Sequence, residues 1–410
     1  MSDYTGRDQQ LLRWVEASPP AFEVVRENRL LRLDESTWQS APRRLERGAG
    51  ASYSQLARSA EFGPWWQSAV GGRQPGIRRF SLQLPADVWP RPWEAIIGAL
   101  DPPRWDQVSI IRQVVGDAAG AQPSKLDEPL TVLRVEGAPT LGSDTLDLAA
   151  ESESLRRAYE QLDFHETQAI APPVAVKGRF DNLCLALVEH RPTILWFSGH
   201  ARAEPPGILL DDEHWLDPGE FVEILRQAKE RGGRTPLYAV LWACRTGSAP
   251  QFGEPTPAPA FVDALSAQGV AALLVSQAPL GDDIAERVAG SLLRALASGL
   301  PLDYGLVHAR ADLMRSALDN QTLFDTIDWI CPVIWSKGHP PLALHWTDRR
   351  EQSATRQALA RKLLPARLSG VTEPAASVEP WPDQSRVWVT SAAPDATASQ
   401  TSWWPSDCLV

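Results

Sequence analysis

Between residues 130 and 335 the chain alternates short apolar runs with amphipathic stretches, and this alternation constrains the fold more than any other feature. LTVLRVEG (130–137), TILWFSG (193–199), LYAVLWA (237–243) and VAALLVSQ (270–277) are runs of strand-forming residues. Such runs suit strands of a parallel sheet covered on both faces. Between them lies LAAESESLRRAYEQL (148–162), with apolar residues at 148, 155, 159 and 162 on one helical face. FDNLCLALVEH (180–190) reads as a second helix. A hairpin-like element in GILLDDEHWLDPGEF leads into a helix from about 218, with Gly232 and Gly233 beyond its end. PAFVDALSAQG (259–269), DDIAERVAGSLLRALASG (282–299) and a stretch across 304–318 supply further helices, and Asp282 or Asp283 is the expected cap of the second. The expectation is an α/β fold: a mostly parallel sheet flanked by helices, with function at the C-terminal strand ends.

The flanks differ in texture. RRFSLQLP (78–85) alternates as a half-buried strand does. VWPRPWEAIIGAL enters a short amphipathic helix with Pro92 near its start, and VSIIRQVV (108–115) is another strand, followed by the link GDAAGAQPSK (116–125). Residues 1–77 are expected to form an N-terminal appendage. In it RDQQLLRWVEA (7–17) shows helical spacing, FEVVRENRLLRL (22–33) reads as a hairpin turning near Glu27-Asn28, and SYSQLARSAEFGPWWQSAV (52–70) suggests one or two short helices. Residues 346–410 combine a basic amphipathic stretch (354–368) with a tail of Pro, Ala, Ser, Thr and isolated Trp. That composition buries little core and reads as a flexible, low-complexity tail.

Charge and cysteine content narrow the function classes. The net charge of -11 argues against binding nucleic acid through a broadly basic surface. No apolar run reaches the roughly 18 residues of a membrane span. The start, MSDYTGRDQQLLRWVE, lacks the basic-then-apolar plan of a signal peptide, so a cytoplasmic location without membrane or direct nucleic-acid partners is expected. The four cysteines, Cys184, Cys244, Cys331 and Cys408, are too irregularly spaced for a disulfide framework or a zinc site. No metal or other cofactor is expected.

Two of the apolar runs end in chemistry. The run at 194 continues as ILWFSGHARAE, delivering His200 to a strand tip, and the run at 237 ends in LWACRTG, delivering Cys244. Adjacent strands of a sheet lie about 5 Å apart. If these two are neighbours, with the helix at 218–231 as their crossover, an imidazole and a thiol emerge together. An imidazolium lowers the pKa of a nearby thiol, and the thiolate is a strong nucleophile. The N–H of Cys244 and one in the Gly199–Ala201 turn are candidate oxyanion donors. Taken singly, a His is more often packed or solvent-facing, and a buried Cys is usually a small apolar side chain. The pairing at two strand ends is what raises the functional reading. His165, His190, His308 and His339, with Cys184, Cys331 and Cys408, lack that context and read as structural or incidental.

With these motifs in view, the chain resembles CHAT-domain proteins, a caspase-like group of cysteine peptidases in the clan of caspases, separase and legumain. The resemblance covers roughly 78–345 and rests on PWEAIIGAL, SIIRQV, PLTVLRVEG, LAAESESL, ILWFSGHA, GILLDDEHWLDPGEF, AVLWACRTG and VAALLVSQAPLGDDIAERVAGSLLRALASG. It implies a caspase–haemoglobinase-like fold with a degenerate part at 78–125 and a catalytic part at 126–345. It also implies Cys244 as nucleophile and His200 as the partner that protonates the leaving amine. Ala201 follows the histidine where many relatives have glycine, so an alanine N–H would serve the oxyanion. Trp242 stands two residues before the cysteine, where the family shapes its first specificity pocket. Period-two geometry puts it on the side of Cys244, which leaves it as an apolar pocket wall or as core. Asp211, Asp212 and Asp282 are further pocket candidates; a solvated turn is the alternative for the first two and a helix cap for the third.

These readings lead to a cysteine endopeptidase cutting a specific protein partner, gated by an activating partner or signal. The resemblance adds a bacterial defence or cell-death setting and a gasdermin-like or other effector as substrate. A catalytically silent CHAT-like interaction module is the alternative. A different thiol enzyme, such as an acyl transferase, is a weaker one, because Cys244 lacks a glycine two residues before it.

Overall fold

The structure is a computed structural model that describes residues 9–16, 20–41, 49–70, 77–85, 88, 91–99, 107–114, 125–126, 129–141, 144–162, 167, 169–243, 258–276, 282–298, 300–319, 329–337 and 345–346. The strands in chain order are β1 (Gln9–Val15), β2 (Ala21–Val24), β3 (Arg29–Arg32), β4 (Arg78–Gln83), β5 (Val108–Val114), β6 (Lys125–Leu126), β7 (Val132–Glu136), β8 (Thr140–Leu141), β9 (Asp144–Thr145), β10 (Val174–Lys177), β11 (Ile194–Gly199), β12 (Ala201–Ala203), β13 (Pro206–Leu209), β14 (Trp215–Leu216), β15 (Tyr238–Ala243), β16 (Ala272–Ser276), β17 (Pro332–Lys337) and β18 (His345–Trp346). Among the described residues, eleven of them form one sheet in the order β10-β7-β11-β15-β16-β17-β5-β4-β1-β2-β3.

That sheet is two parallel blocks running in opposite directions. β10, β7, β11, β15 and β16 are mutually parallel, and so are β17, β5, β4 and β1; the blocks meet at the antiparallel β16–β17 pair. The expected mostly parallel sheet with flanking helices is therefore observed. The first block's crossovers include the helices Leu148–Glu160, Phe180–His190, Pro218–Glu230 and Ala258–Ala267, close to the positions the sequence pattern gives. The Pro218–Glu230 helix starts on a reciprocal cap: the Asp217 side chain accepts from the Glu220 N–H while the Glu220 side chain accepts from the Asp217 N–H, with Pro218 at the first position. No described helix is long and apolar enough to cross a membrane.

Residues 9–32, expected within an appendage, instead extend the sheet. The helix expected at 7–17 is the strand β1, parallel to β4 and antiparallel to β2. Its apolar residues at 11, 12, 14 and 15 fit either period, and strand pairing on both sides decides between them. The hairpin of β2 and β3 forms as expected, with Asn28 at φ 48 in its turn. Two short helices, Ala49–Leu56 and Phe62–Val70, occupy the segment expected to carry them. The expected helix after Pro92 is a 3-10 helix, Trp93–Ala99. Leu12, Phe22, Trp66 and Trp93 share one continuous core with Trp196 and Trp242 of the first block. The link at 116–124 and the tail from 347 lie outside the described residues.

Candidate active site

Three adjacent strands of the first block end in the same way, on a polar residue and a glycine: Glu136-Gly137, Lys177-Gly178 and Ser198-Gly199. Backbone bonds then stitch these ends together. Gly178 N–H donates to Glu136 O (2.7 Å) and Gly137 N–H to Ser198 O (2.8 Å). Asp211 N–H donates to Gly178 O (2.7 Å) and Leu209 N–H to His200 O (2.9 Å), which brings the small β12-β13-β14 sheet onto the strand tips. Gly137 is required by this close approach: a Cβ there would lie 2.2 Å from the Leu209 carbonyl oxygen and 3.3 Å from Gly199 Cα.

His200 follows β11 directly and is fully buried, with 0% of its surface exposed. β11 and β15 are parallel neighbours, paired in register from Ile194 opposite Tyr238 to Gly199 opposite Ala243. His200 and Cys244 are the next residues in sequence on the two strands, and Cys244 itself lies outside the described residues. Ala201 opens β12 and faces Ile208 of β13. The bond from Leu209 N–H to His200 O makes 200 and 209 a hydrogen-bonded pair, so by antiparallel alternation 201 and 208 are not bonded to each other. The Ala201 N–H therefore points away from β13.

The pocket candidates have other roles. Trp242 is 1% exposed, and its ring meets that of Trp196 edge-on at 6.0 Å between centroids; it is core, not an open pocket wall. Asp212 caps a helix: its Oδ2 accepts from Phe180 N–H (2.9 Å) at the start of Phe180–His190. Asp211 is only partly exposed and lies 3.9 Å from Arg179 Nε, while its backbone N–H is engaged by Gly178. Both aspartates lie in a turn, Asp211 partly and Asp212 well exposed, in keeping with the solvated-turn reading, and Asp212 also serves the helix start. Asp282 begins the helix Asp282–Ala297, and its side chain lies outside what is described. His165, His339 and Cys408 fall outside the described residues, whereas Cys184 and Cys331 are buried thiols. Among the described residues no group of three His, Cys, Asp or Glu gathers as metal ligands.

Sequence reasoning missed a buried charged network beneath the tips. Arg134, in the middle of β7, is 1% exposed. Its guanidinium bonds Glu136 and Ser152, donates to Leu148 O (2.9 Å) and Glu151 Oε2 (3.2 Å), and reaches Ser198 Oγ (3.3 Å). Glu151 Oε1 accepts from both Trp196 Nε1 (2.8 Å) and Ser198 Oγ (2.9 Å). The far side of Glu136 meets Lys177 Nζ at 3.1 Å. Two signals were available: a charge inside an apolar strand, and Glu151 lying three residues after Leu148 and four before Leu155, within the buried helical stripe. A cleft of about 630 Å³ opens beside this network, lined by Glu136, Asp147, Ser152, Glu153, Arg156 and Lys177 among others.

The CHAT-domain family profile matches residues 114–347, more than half of the chain and starting later than the expected 78. Among solved structures the chain is similar to the Arg-specific cysteine proteinase gingipain R, with 11% identity, a TM-score of 0.43, and coverage of 72% of this chain and 68% of that one. The complex of the pro- and mature domains of RgpB from Porphyromonas gingivalis gives 11% identity, a TM-score of 0.42, and coverage of 72% and 69%. The separase–securin complex of Saccharomyces cerevisiae gives 12% identity and a TM-score of 0.39, covering 64% of this chain and 15% of that one. No curated protein matches the chain.

Proposed function

The chain belongs to the CHAT-domain family, and from that premise we propose that it is a cysteine endopeptidase acting on a specific protein partner, with Cys244 as nucleophile and His200 as acid/base. The observation that carries this reading is the register of β11 and β15, which ends at Gly199 opposite Ala243 and leaves His200 and Cys244 as the next residues on adjacent parallel strands. The Cys244 thiolate attacks the scissile carbonyl carbon, and the carbonyl electron pair moves to oxygen. The N–H groups of Ala201 and Cys244 hold that oxyanion. As the adduct collapses, the His200 imidazolium gives its proton to the leaving amine. Neutral His200 then takes a proton from water, which attacks the thioester, releasing the acid and restoring the thiol.

Uncontrolled proteolysis inside a cell is toxic, so a cytoplasmic enzyme of this kind is held inactive until a partner or signal engages it. The family resemblance supports a defence or cell-death role and a gasdermin-like or other effector protein as substrate.

The test is to express wild type, Cys244→Ala and His200→Ala beside the products of neighbouring genes and to follow cleavage by intact mass. Wild type should cut one partner and both variants should leave it whole. Cleavage by both variants overturns the dyad. If a thiol-directed peptide warhead never labels the wild type under any activating condition, the silent interaction module replaces the peptidase.

A further inference from the structure

The buried network ends at the strand that carries His200. Ser198 lies in β11, and His200 stands two residues on, one past the strand's end at Gly199. Ser198 is held twice: its carbonyl accepts from Gly137 N–H, and its hydroxyl donates to Glu151 Oε1 at 2.9 Å. The same carboxylate oxygen accepts from Trp196 Nε1, which fixes the ring four residues before His200. Glu151 is itself held by Arg134 and sits near the start of the helix Leu148–Glu160. One carboxylate thus ties two successive side chains on one side of β11 to a helix, immediately before the imidazole. Beyond His200, the Leu209 N–H bond fixes its carbonyl.

A purely structural account of these bonds is incomplete. β11 is already paired on both sides, to β7 and β15, and all six of its residues are buried. Backbone pairing fixes the strand's register without a charge beneath it. The added carboxylate costs desolvation, and that cost is met only by well-formed bonds to Arg134, Trp196 and Ser198. What these bonds supply beyond pairing is a fixed side-chain layer under the tip. Catalytic groups need such support, because small displacements cost large factors in rate.

We propose that Glu151 is a positioning residue which, through its hydrogen bond to Ser198, sets the orientation of His200 relative to Cys244. This inference rests on the dyad reading above. In this role Glu151 acts through the strand, by its bond to Ser198.

The test needs no known substrate. The full-length protein is treated with iodoacetamide, and modification at Cys244 is followed by peptide mapping in four forms: wild type, Ser198→Ala, His200→Ala and the double variant. Melting temperatures are measured alongside. Ser198→Ala removes one hydroxyl shared by Glu151 and Arg134 and should lower melting modestly without unfolding the chain, so rates are compared well below the melting transition. It should slow Cys244 alkylation about tenfold, within the range for residues coupled through contact. In the His200→Ala background, adding Ser198→Ala should change nothing further. An equal slowing in both backgrounds, or none in either, overturns the positioning role. Glu151→Ala is the second variant: it removes the acceptor of both Ser198 and Trp196, so the folded variant should slow alkylation at least as much as Ser198→Ala and add nothing in the His200→Ala background, and a wild-type rate overturns the proposal. A His200→Ala protein alkylated as fast as wild type sinks the dyad itself, an outcome separate from these.

Discussion

Two arginines lie buried in the same sheet, one in each block, and they are wired differently. Arg112 of β5 and Arg134 of β7 are each 1% exposed. Arg112 grips one carboxylate with two nitrogens: Nε and Nη2 bond the two oxygens of Glu94 at 3.1 and 2.5 Å, and Nη2 also donates to Arg91 O at 2.9 Å. Its guanidinium lies 5.5 Å from the Trp335 ring, inside an aromatic core. Arg134 branches instead. It meets two carboxylates, two hydroxyls and a carbonyl, and its outer partners reach Lys177 at the cleft and Ser198 below His200. Both arrangements satisfy a buried charge. Only the second reaches, through Ser198, toward the strand tip where chemistry is proposed, so the same device serves packing in one block and geometry in the other.

The contrast is broken most severely at the tip itself. His200→Ala is expected to lower peptide cleavage by about a thousandfold, far beyond the modest melting loss from emptying a buried site, whereas any folded variant at Arg112 should cut normally. A parallel assay of cleavage and melting checks both. Next in size, Glu94→Ala leaves the Arg112 charge buried without its main partner and should cost about 4 kcal/mol in urea unfolding. Retention of full stability there would refute Glu94 as the main partner of Arg112.

Gly137→Ala should cost about 3 kcal/mol, because its Cβ must displace the Leu209 carbonyl. It should also slow Cys244 alkylation, since that carbonyl belongs to the strand hydrogen-bonded to His200. A smaller effect follows from exchanging whole pairs for apolar ones. Arg112→Met with Glu94→Leu should shift stability by no more than about 1 kcal/mol and leave Cys244 alkylation intact. Arg134→Met with Glu151→Leu should slow alkylation even where the protein stays folded. Equal alkylation in the two double variants would erase the distinction between the blocks.

The smallest effect is expected on the surface. Hydrogen bonds from Arg156 and Arg157 hold the Glu153 carboxyl down at about 2, yet the group is partly open to water. Its lowered pKa gives a contribution that is present above the usual carboxylate range and fades as pH falls through the folded value. Water and salt screen it, so Glu153→Gln should leave melting at neutral pH unchanged.

Much of the fold was legible because apolar periodicity reports burial directly. Runs apolar on both faces could only be covered strands, and the stripe at 148, 155, 159 and 162 could only be one helix face. The hairpin at 22–33 was legible for the same reason, helped by Asn28 at its turn. Residues 7–17 misled because four apolar residues in a short run satisfy both periods, and the pairing that selects a strand comes from β4, more than sixty residues away in the chain. Trp242 was ambiguous for a related reason: alternation gives the side of the strand, but whether that side opens to solvent depends on Trp196 and the helix above it.

By itself, then, the sequence determined the succession of strands and helices and the placement of His200 and Cys244 just past two of the strands, since both follow from local pattern. Tertiary structure alone decided that β11 and β15 are neighbours in register. It also decided that Asp212 caps a helix and that a glutamate from 148–160 sits under the strand tip. Those outcomes turn on hydrogen bonds between residues distant in the chain, and a buried polar group finds its partner only when the fold brings the two together.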